Sequence, residues 1–444
     1  MREWILLALV LISIPLVLKR PLWGMVIYLG ATVVRPEMLF WGGRTGSYVF
    51  MVYFVTTFVG LFLRGDLLKI GQAVQRETAL MVWFLGAVLL SVALAQYPVY
   101  RGYYYVFELL KVFGICVFLY LLVNEFEDFK RIQSVLLGCF AFMAVWGIDQ
   151  HFRGNERLEG LGGSAWGDSN GVAAMFILFL PVALAKAFAS ETRKQFWISL
   201  GTVALMVALI VCTKSRAGLI GLIMSLVMFG FYSRESLKVF RIAVVLAVVA
   251  LPFATQQYIS RMNTMAGDDK FQSSAQDRIT LWKAGLLVFA DNPLVGTGFL
   301  TFPEAKMKYE DRFLYLDNEF RESIFRADNK KVAHNTYIQL LSDCGLIGAI
   351  PFVLLLGGGI TLGLKARKML RNSPGQKTEL LWLSGLCGGI AGFAVCILSI
   401  DAAMSIELYV QIVLAAILYR IIMHRAAEQE ADLSAAGSRL GAAV

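Results

Sequence analysis

The 444-residue sequence predicts an all-α protein, a polytopic transmembrane helical bundle of about 12–13 membrane helices with one large outer loop that holds short helices of its own. Three observations predict it. Hydrophobic residues make up 58% of the chain, charged ones 16%, and mean hydropathy is +0.65, a balance foreign to soluble domains of this size. Apolar runs of roughly 15 to 20 residues recur along almost the whole chain, each about long enough to cross a ~30 Å hydrocarbon core as a helix. Basic residues gather in the short loops between alternate runs, where they fix orientation.

Taken in order, the expected spans lie near 4–18, 21–35, 48–63, 79–95, 105–123, 132–150, 171–189, 196–213, 217–232, 240–256, 336–363, 380–399 and 404–422. The first two are short and suit a shallow hairpin, which leaves the count at twelve or thirteen. Met1 to Leu18 has the charged start and apolar stretch of a signal peptide, but Lys19-Arg20-Pro21 follows without a small-residue cleavage site, so a retained membrane segment is expected. Arg64, Lys69 and Arg76; Lys130 and Arg131; Arg193 and Lys194; Arg234, Lys238 and Arg241; and Lys365, Arg367, Lys368 and Arg371 mark one side, expected to be cytoplasmic. Loops 36–47, 96–104, 151–170, the 214–216 turn and the long segment 257–333 then lie outside. The division is therefore an N-terminal transmembrane bundle (1–256), a large periplasmic loop (257–333), C-terminal transmembrane helices (334–424) and a cytoplasmic tail (425–444) whose composition predicts disorder.

The net charge of +9 is explained by this topology rather than by nucleic acid. No Gly-rich phosphate loop follows a strand, so nucleotide chemistry is not signalled. Cys116, Cys139, Cys212, Cys344, Cys387 and Cys396 are scattered through apolar runs without ligand-like spacing, and neither a metal, another cofactor nor a disulfide is expected. A transporter usually places paired ionisable groups near the midplane. Here the ionisable residues gather at the outer face, and only Asp343, Asp401 and Glu407 fall at membrane depth, where pairing or a polar cavity would account for them.

The outer face carries the candidate chemistry. His334, one of three histidines, stands where the polar segment meets a new apolar run. A neutral imidazole there takes a proton from a hydroxyl, or simply hydrogen-bonds a carbonyl at the interface. In Lys214-Ser215-Arg216 a basic turn separates two apolar helices, and Arg216 opens the second, where a guanidinium and free backbone N–H groups together favour a phosphate. Read alone, Arg216 is equally an interfacial arginine that snorkels. Ser274 and Asp277 form a candidate capping box before Ile279, Trp282, Leu286 and Phe289, predicting an amphipathic helix whose apolar face lies on the bundle and whose N-terminal end carries Arg278. Arg157 sits in a Gly-rich loop, and Asp168 and Asn170 precede a helix as N-cap candidates. Several arginines and one histidine are the inventory for holding a diphosphate leaving group while a base deprotonates an incoming hydroxyl.

His334-Asn335, nine intervening residues and then Gly345-Leu346-Ile347-Gly348 resemble the histidine signature of bacterial O-antigen ligases, in the superfamily shared with O-antigen polymerases and protein O-oligosaccharyltransferases. Ser215-Arg216-Ala217 resembles that family's Ser-Arg-Gly turn, and Arg278 precedes a Pro293, Gly296, Gly298 turn; the likeness runs over roughly residues 150–360. It implies a metal-independent glycosyltransferase on the periplasmic face of the inner membrane, moving a glycan from undecaprenyl pyrophosphate to lipid A-core oligosaccharide. His334 would be the general base, with Arg216 and Arg278 on the pyrophosphate. Arg157 and Asn170 would match the superfamily's Arg-loop-Asn stretch, and Lys214, Asn335, Tyr337 and Gln339 would line the substrate site. Direct displacement predicts inversion. Ala217 departs from the family's Gly, and Arg35-Pro36-Glu37-Met38 with Phe40-Trp41-Gly42-Gly43 is more similar to exosortase-associated relatives. The acceptor therefore stays open among lipid A-core, a second lipid-linked glycan and a protein, and a lipid-linked glycan transporter is the reading without chemistry.

Overall fold

The computed structural model describes residues 2–36, 46–99, 102–155, 158–161, 166–250, 269–326, 330–372 and 374–441. Among them there is no strand. The helices are α1 (Arg2–Lys19), α2 (Pro21–Val34), α3 (Gly46–Leu63), α4 (Arg76–Ala93), α5 (Gly102–Leu122), α6 (Phe126–Phe152), α7 (Ser169–Phe188), α8 (Arg193–Cys212), α9 (Arg216–Ser233) and α10 (Ser236–Ala250). They continue with α11 (Asp269–Asp291), α12 (Phe302–Ala305), α13 (Asn318–Phe325), α14 (Thr336–Asn372), α15 (Lys377–Cys396) and α16 (Ile406–Gly441).

Each of the thirteen expected spans is a helix, and nine of them, among the described residues, are long and apolar enough to cross a membrane. This is a multi-pass membrane protein. The four exceptions have local reasons. α2 has only 14 residues, the apolar stretch described in α1 is Leu7–Lys19, and α3 bends by 105° into a 3₁₀ segment, Asp66–Ala73. α10 is described only to Ala250, and the end expected at 251–256 lies outside the described residues. The backbone of α16 is helical to Gly441, through the tail for which composition predicts disorder.

α7 and α15 are the most enclosed helices, and small residues let them be. A methyl on Gly389 of α15 would overlap the Leu178 carbonyl of α7, and one on Gly392 would overlap Ser225 of α9. Lipid tails offer no hydrophobic drive for helix association, so close backbone packing through small residues supplies the contact. Glu407, expected to pair at membrane depth, accepts the Trp166 indole N–H at 3.3 Å.

The long loop forms its own apolar cluster, in which Leu281, Ala284 and Val288 of α11 meet Phe302, Phe313 and Phe325. This corrects two expectations. α11 begins at Asp269, so Ser274 lies inside the helix rather than at its start. Its buried face is Leu281/Ala284/Val288, whereas Ile279 and Leu286 are each 49% exposed. The loop's short helices and α14 together cover this stripe of α11.

Candidate active site at the helix ends beside the long loop

The site is built on a break in α14. Gly345 has φ 59° and ψ −161°, a conformation open essentially to glycine. The strand-like turn after α11 enters the gap. Leu346 N–H donates to Pro293 O (2.9 Å), Ile347 N–H to Leu294 O (3.1 Å), Thr297 N–H to Ser342 O (3.0 Å) and Gly298 N–H to Asp343 O (3.1 Å). A Cβ on Gly345 would overlap Leu294, and one on Gly296 would overlap the Asp343 backbone. The Pro-Gly-Gly turn and the glycine pair of α14 are thus two halves of one backbone joint. Asp343, fully buried, accepts Phe302 N–H (2.9 Å), Leu300 N–H (3.1 Å) and the Gln339 amide (2.7 Å).

That joint is transmitted to His334. Gln339 is four residues before Asp343, and its Oε1 accepts the buried Ala333 N–H at 2.9 Å. Trp282 of α11 donates its indole N–H to Ala333 O at 3.0 Å. Asn335 caps α14 by accepting Tyr337 N–H (3.0 Å) and Ile338 N–H (3.2 Å). Thr336 locks onto the α15–α16 connection, donating N–H to Ile397 O (2.9 Å) and its hydroxyl to Ile400 O (2.8 Å). Held on both sides, His334 adopts φ 48°, which few non-glycine residues take.

The neighbouring helix N-termini are tied together. Asp168 caps α7, accepting Asn170 N–H (2.9 Å) and Gly171 N–H (3.1 Å). Asn170 Oδ1 accepts the Ser215 hydroxyl at 2.6 Å, and Ser215 Oγ in turn accepts Gly218 N–H at 2.9 Å to cap α9. The strained Lys214 (φ 53°) and half-buried Arg216 flank that serine. Burial lowers the His334 pKa from its ordinary 6.5; the Arg278 charge lowers it further, Asp168 opposes, and Lys331 and Asp277 act more weakly in opposite senses. The imidazole is therefore biased toward its neutral form and sits within the fields of Arg278 and Asp168.

The family model for O-antigen ligase matches residues 201–353. Over those residues the chain is similar to the O-antigen ligase family. No curated protein matches the chain. The O-antigen ligase segment takes in Arg216, Arg278, His334 and the whole glycine joint, while Asn170 reaches it from outside through Ser215. That similarity supports a glycosyltransferase-like enzyme.

The predicted residues divide by what their polar atoms do. His334 and Arg278 share one electrostatic environment, and Asn170 is bonded to the serine beside Arg216. Asn335 and Gln339 are buried and committed to the backbone around His334, and the Tyr337 hydroxyl donates to Ala394 O at 2.9 Å. Arg157 lies outside the described residues. The sequence reading missed Trp282 as a tether and the ion pair between Asp277 and Lys331 (2.9 Å), which straps α11 to the residues just before His334. Their separations of 51 and 54 residues leave no local pattern to find. Among the described residues no group of three or more His, Cys, Asp or Glu side chains is placed to hold a metal.

Proposed function

We propose that the protein is an inverting glycosyltransferase that needs no metal, moving a glycan from undecaprenyl pyrophosphate to lipid A-core oligosaccharide at the periplasmic face of the bacterial inner membrane. The observation that carries this reading is His334, next in chain to the doubly tethered Ala333 and in the field of Arg278, at the end of the bundle where α9 opens with Arg216. His334 removes the proton from the acceptor hydroxyl as that oxygen attacks the anomeric carbon. The bond from that carbon to the pyrophosphate oxygen breaks in the same displacement, and the configuration inverts. Arg216 and Arg278 neutralise the departing charge, which guanidinium does through paired N–H donors. The α9 N-terminus adds its partial positive charge. Lys214, immediately before the α9 cap, adds a further cation for the donor. Asn335, Tyr337 and Gln339 serve the substrate indirectly, by fixing where His334 stands. Basic residues at the opposite helix ends, Arg64, Lys69, Lys130 and Arg131 among them, support the periplasmic placement of this face.

The test is transfer from lipid-linked glycan to purified lipid A-core in detergent with chelator present, comparing wild type with His334→Ala and Arg278→Ala. Wild-type transfer with a product of inverted anomeric configuration, lost in both variants, supports the assignment. A product that keeps the donor's configuration refutes the single displacement. Donor consumption only when a second lipid-linked glycan or a polypeptide is supplied transfers the assignment to polymerase or protein glycosylation.

A further inference from the structure

The end of the bundle away from His334 holds a second, chemically distinct cavity. It has a volume of about 560 Å³ and lies between the start of α4, the end of α5, the late part of α14 and α16. Ligand pockets span roughly 300–1,000 Å³. Thr336 and Lys365 are separated by about 40 Å of helix at 1.5 Å per residue, so this cavity is remote from the candidate active site.

Its lining is split. Gly358, Thr361 and Leu362 come from the apolar part of α14, while Arg76, Lys365 and Arg420 bring three cations against one lining carboxylate, Glu77. That carboxylate already accepts the Tyr120 hydroxyl at 3.3 Å. Arg420 is turned onto backbone carbonyls, Gln72 O and Val123 O at 3.3 Å and Tyr120 O at 3.5 Å, and so is fixed at the cavity wall. Lys365 lies 4.9 Å from the Tyr419 ring centroid, and the Arg76 guanidinium closes on Gly358, where a Cβ would stand 3.7 Å from it. Neither Arg76 nor Lys365 makes an ion pair with a described carboxylate, and both are exposed.

Several other basic residues at this end pair locally, while the exposed Arg193, Lys194 and Lys368 make no ion pair with a described carboxylate. Arg64 and Lys69 share Asp66 (3.2 and 2.9 Å), Lys130 meets Glu127, Arg131 meets Asp128 (3.1 Å) and Arg425 meets Glu379 (2.7 Å). Arg76 and Lys365 differ from those in lining a concavity whose other wall is apolar. The shared chemistry is a phosphate ester, and the apolar wall distinguishes a lipid from a free one. We propose that this cavity binds the phosphodiester headgroup of an anionic glycerophospholipid, with Arg76 and Lys365 on the phosphate, Arg420 behind it, and the glycerol over Gly358, Thr361 and Leu362.

The test is native mass spectrometry on the full chain, delipidated in detergent and titrated with phosphatidylglycerol or phosphatidylcholine of matched acyl chains, with glycerol 3-phosphate as a third arm. Wild type is expected to prefer phosphatidylglycerol. Each Lys or Arg contributes enough at an anionic headgroup that Arg76→Gln or Lys365→Gln lowers that affinity roughly 5-fold and the double variant about 30-fold. Lys130→Gln/Arg131→Gln, outside the cavity, leaves it unchanged. Both charge-neutralising variants alter exposed side chains, and a monodisperse elution profile confirms that they fold. Equal binding of phosphatidylcholine, or an unchanged affinity in the double variant, overturns the proposal. Glycerol 3-phosphate bound as tightly as the lipid, with the same loss in the double variant, overturns the lipid assignment in favour of a soluble phosphate ester.

Discussion

Gln339→Leu separates two roles for a residue that the sequence places near His334, the proposed base. The structure uses both ends of the Gln339 amide, Oε1 on Ala333 N–H at 2.9 Å and Nε2 on Asp343 Oδ2 at 2.7 Å, all three residues being buried. Leucine fills nearly the same volume, so the cavity term is small. A buried backbone N–H left unpaired costs about 1–3 kcal/mol, and the lost bond to the carboxylate about 1.5–3 kcal/mol, giving about 2.5–6 kcal/mol of destabilisation. His334 follows Ala333 directly, and a base displaced by about 1 Å loses on the order of 100-fold in rate. The assay is thermal unfolding in detergent beside steady-state glycan transfer with kcat and KM separated. The expected variant melts early and loses kcat while KM barely moves. Gln339→Glu, which keeps the acceptor for Ala333 N–H but removes the donor to Asp343, is expected to unfold early as well. A Gln339→Leu protein with wild-type stability, wild-type kcat and raised KM would show that the side chain touches substrate and that the tether argument is wrong.

Gly345→Ala forces a Cβ into Leu294 at positive φ, and strain plus overpacking is expected to cost about 3 kcal/mol or more, read as loss of folded protein on a thermal ramp. Transfer by wild type is expected to fall on the acid side with an apparent pKa below 6.5, because His334 must be neutral to act. Removing a cation in Arg278→Gln raises the His334 pKa, so the residual activity of that variant should show its acid limb at higher pH; an acid limb unmoved or lowered contradicts the pairing. Lys306, buried in the outer loop and donating to Lys331 O at 2.9 Å, has its pKa lowered to about 8 by burial, then by Lys331, against Glu304. The folded form therefore releases its proton first, so stability should rise between pH 8 and the ordinary 10.5. Lys306→Met should abolish that rise in pH-dependent melting.

Much of the architecture was legible in the sequence, since each apolar run reports directly on a helix that must satisfy its own backbone in lipid. The register of α11 was not. Ile279, Trp282, Leu286 and Phe289 mark a helical stripe, but the loop's Phe302, Phe313 and Phe325 cover the adjacent stripe instead, and no local pattern foretells which partner arrives. His334, Arg216 and Arg278 were legible as residue types at a membrane surface. The groups that hold His334 come from α11, α14 and the α15–α16 connection, and no periodicity links those elements.

The spacing between Asn335 and Gly345 nonetheless has a physical reading once those partners are known. Nine residues make about two and a half turns of helix. Asn335 must cap the first turn, and the glycine must break the helix where Leu294 enters. Gln339 and Asp343, four apart, then share one face and form a ladder from the break back to Ala333. Inserting or deleting one residue turns that face by about 100°, so the amide that reaches Ala333 would point elsewhere while the glycine still met its turn. A fixed interval between histidine and glycine is what a base positioned through a helix, rather than by its own loop, requires.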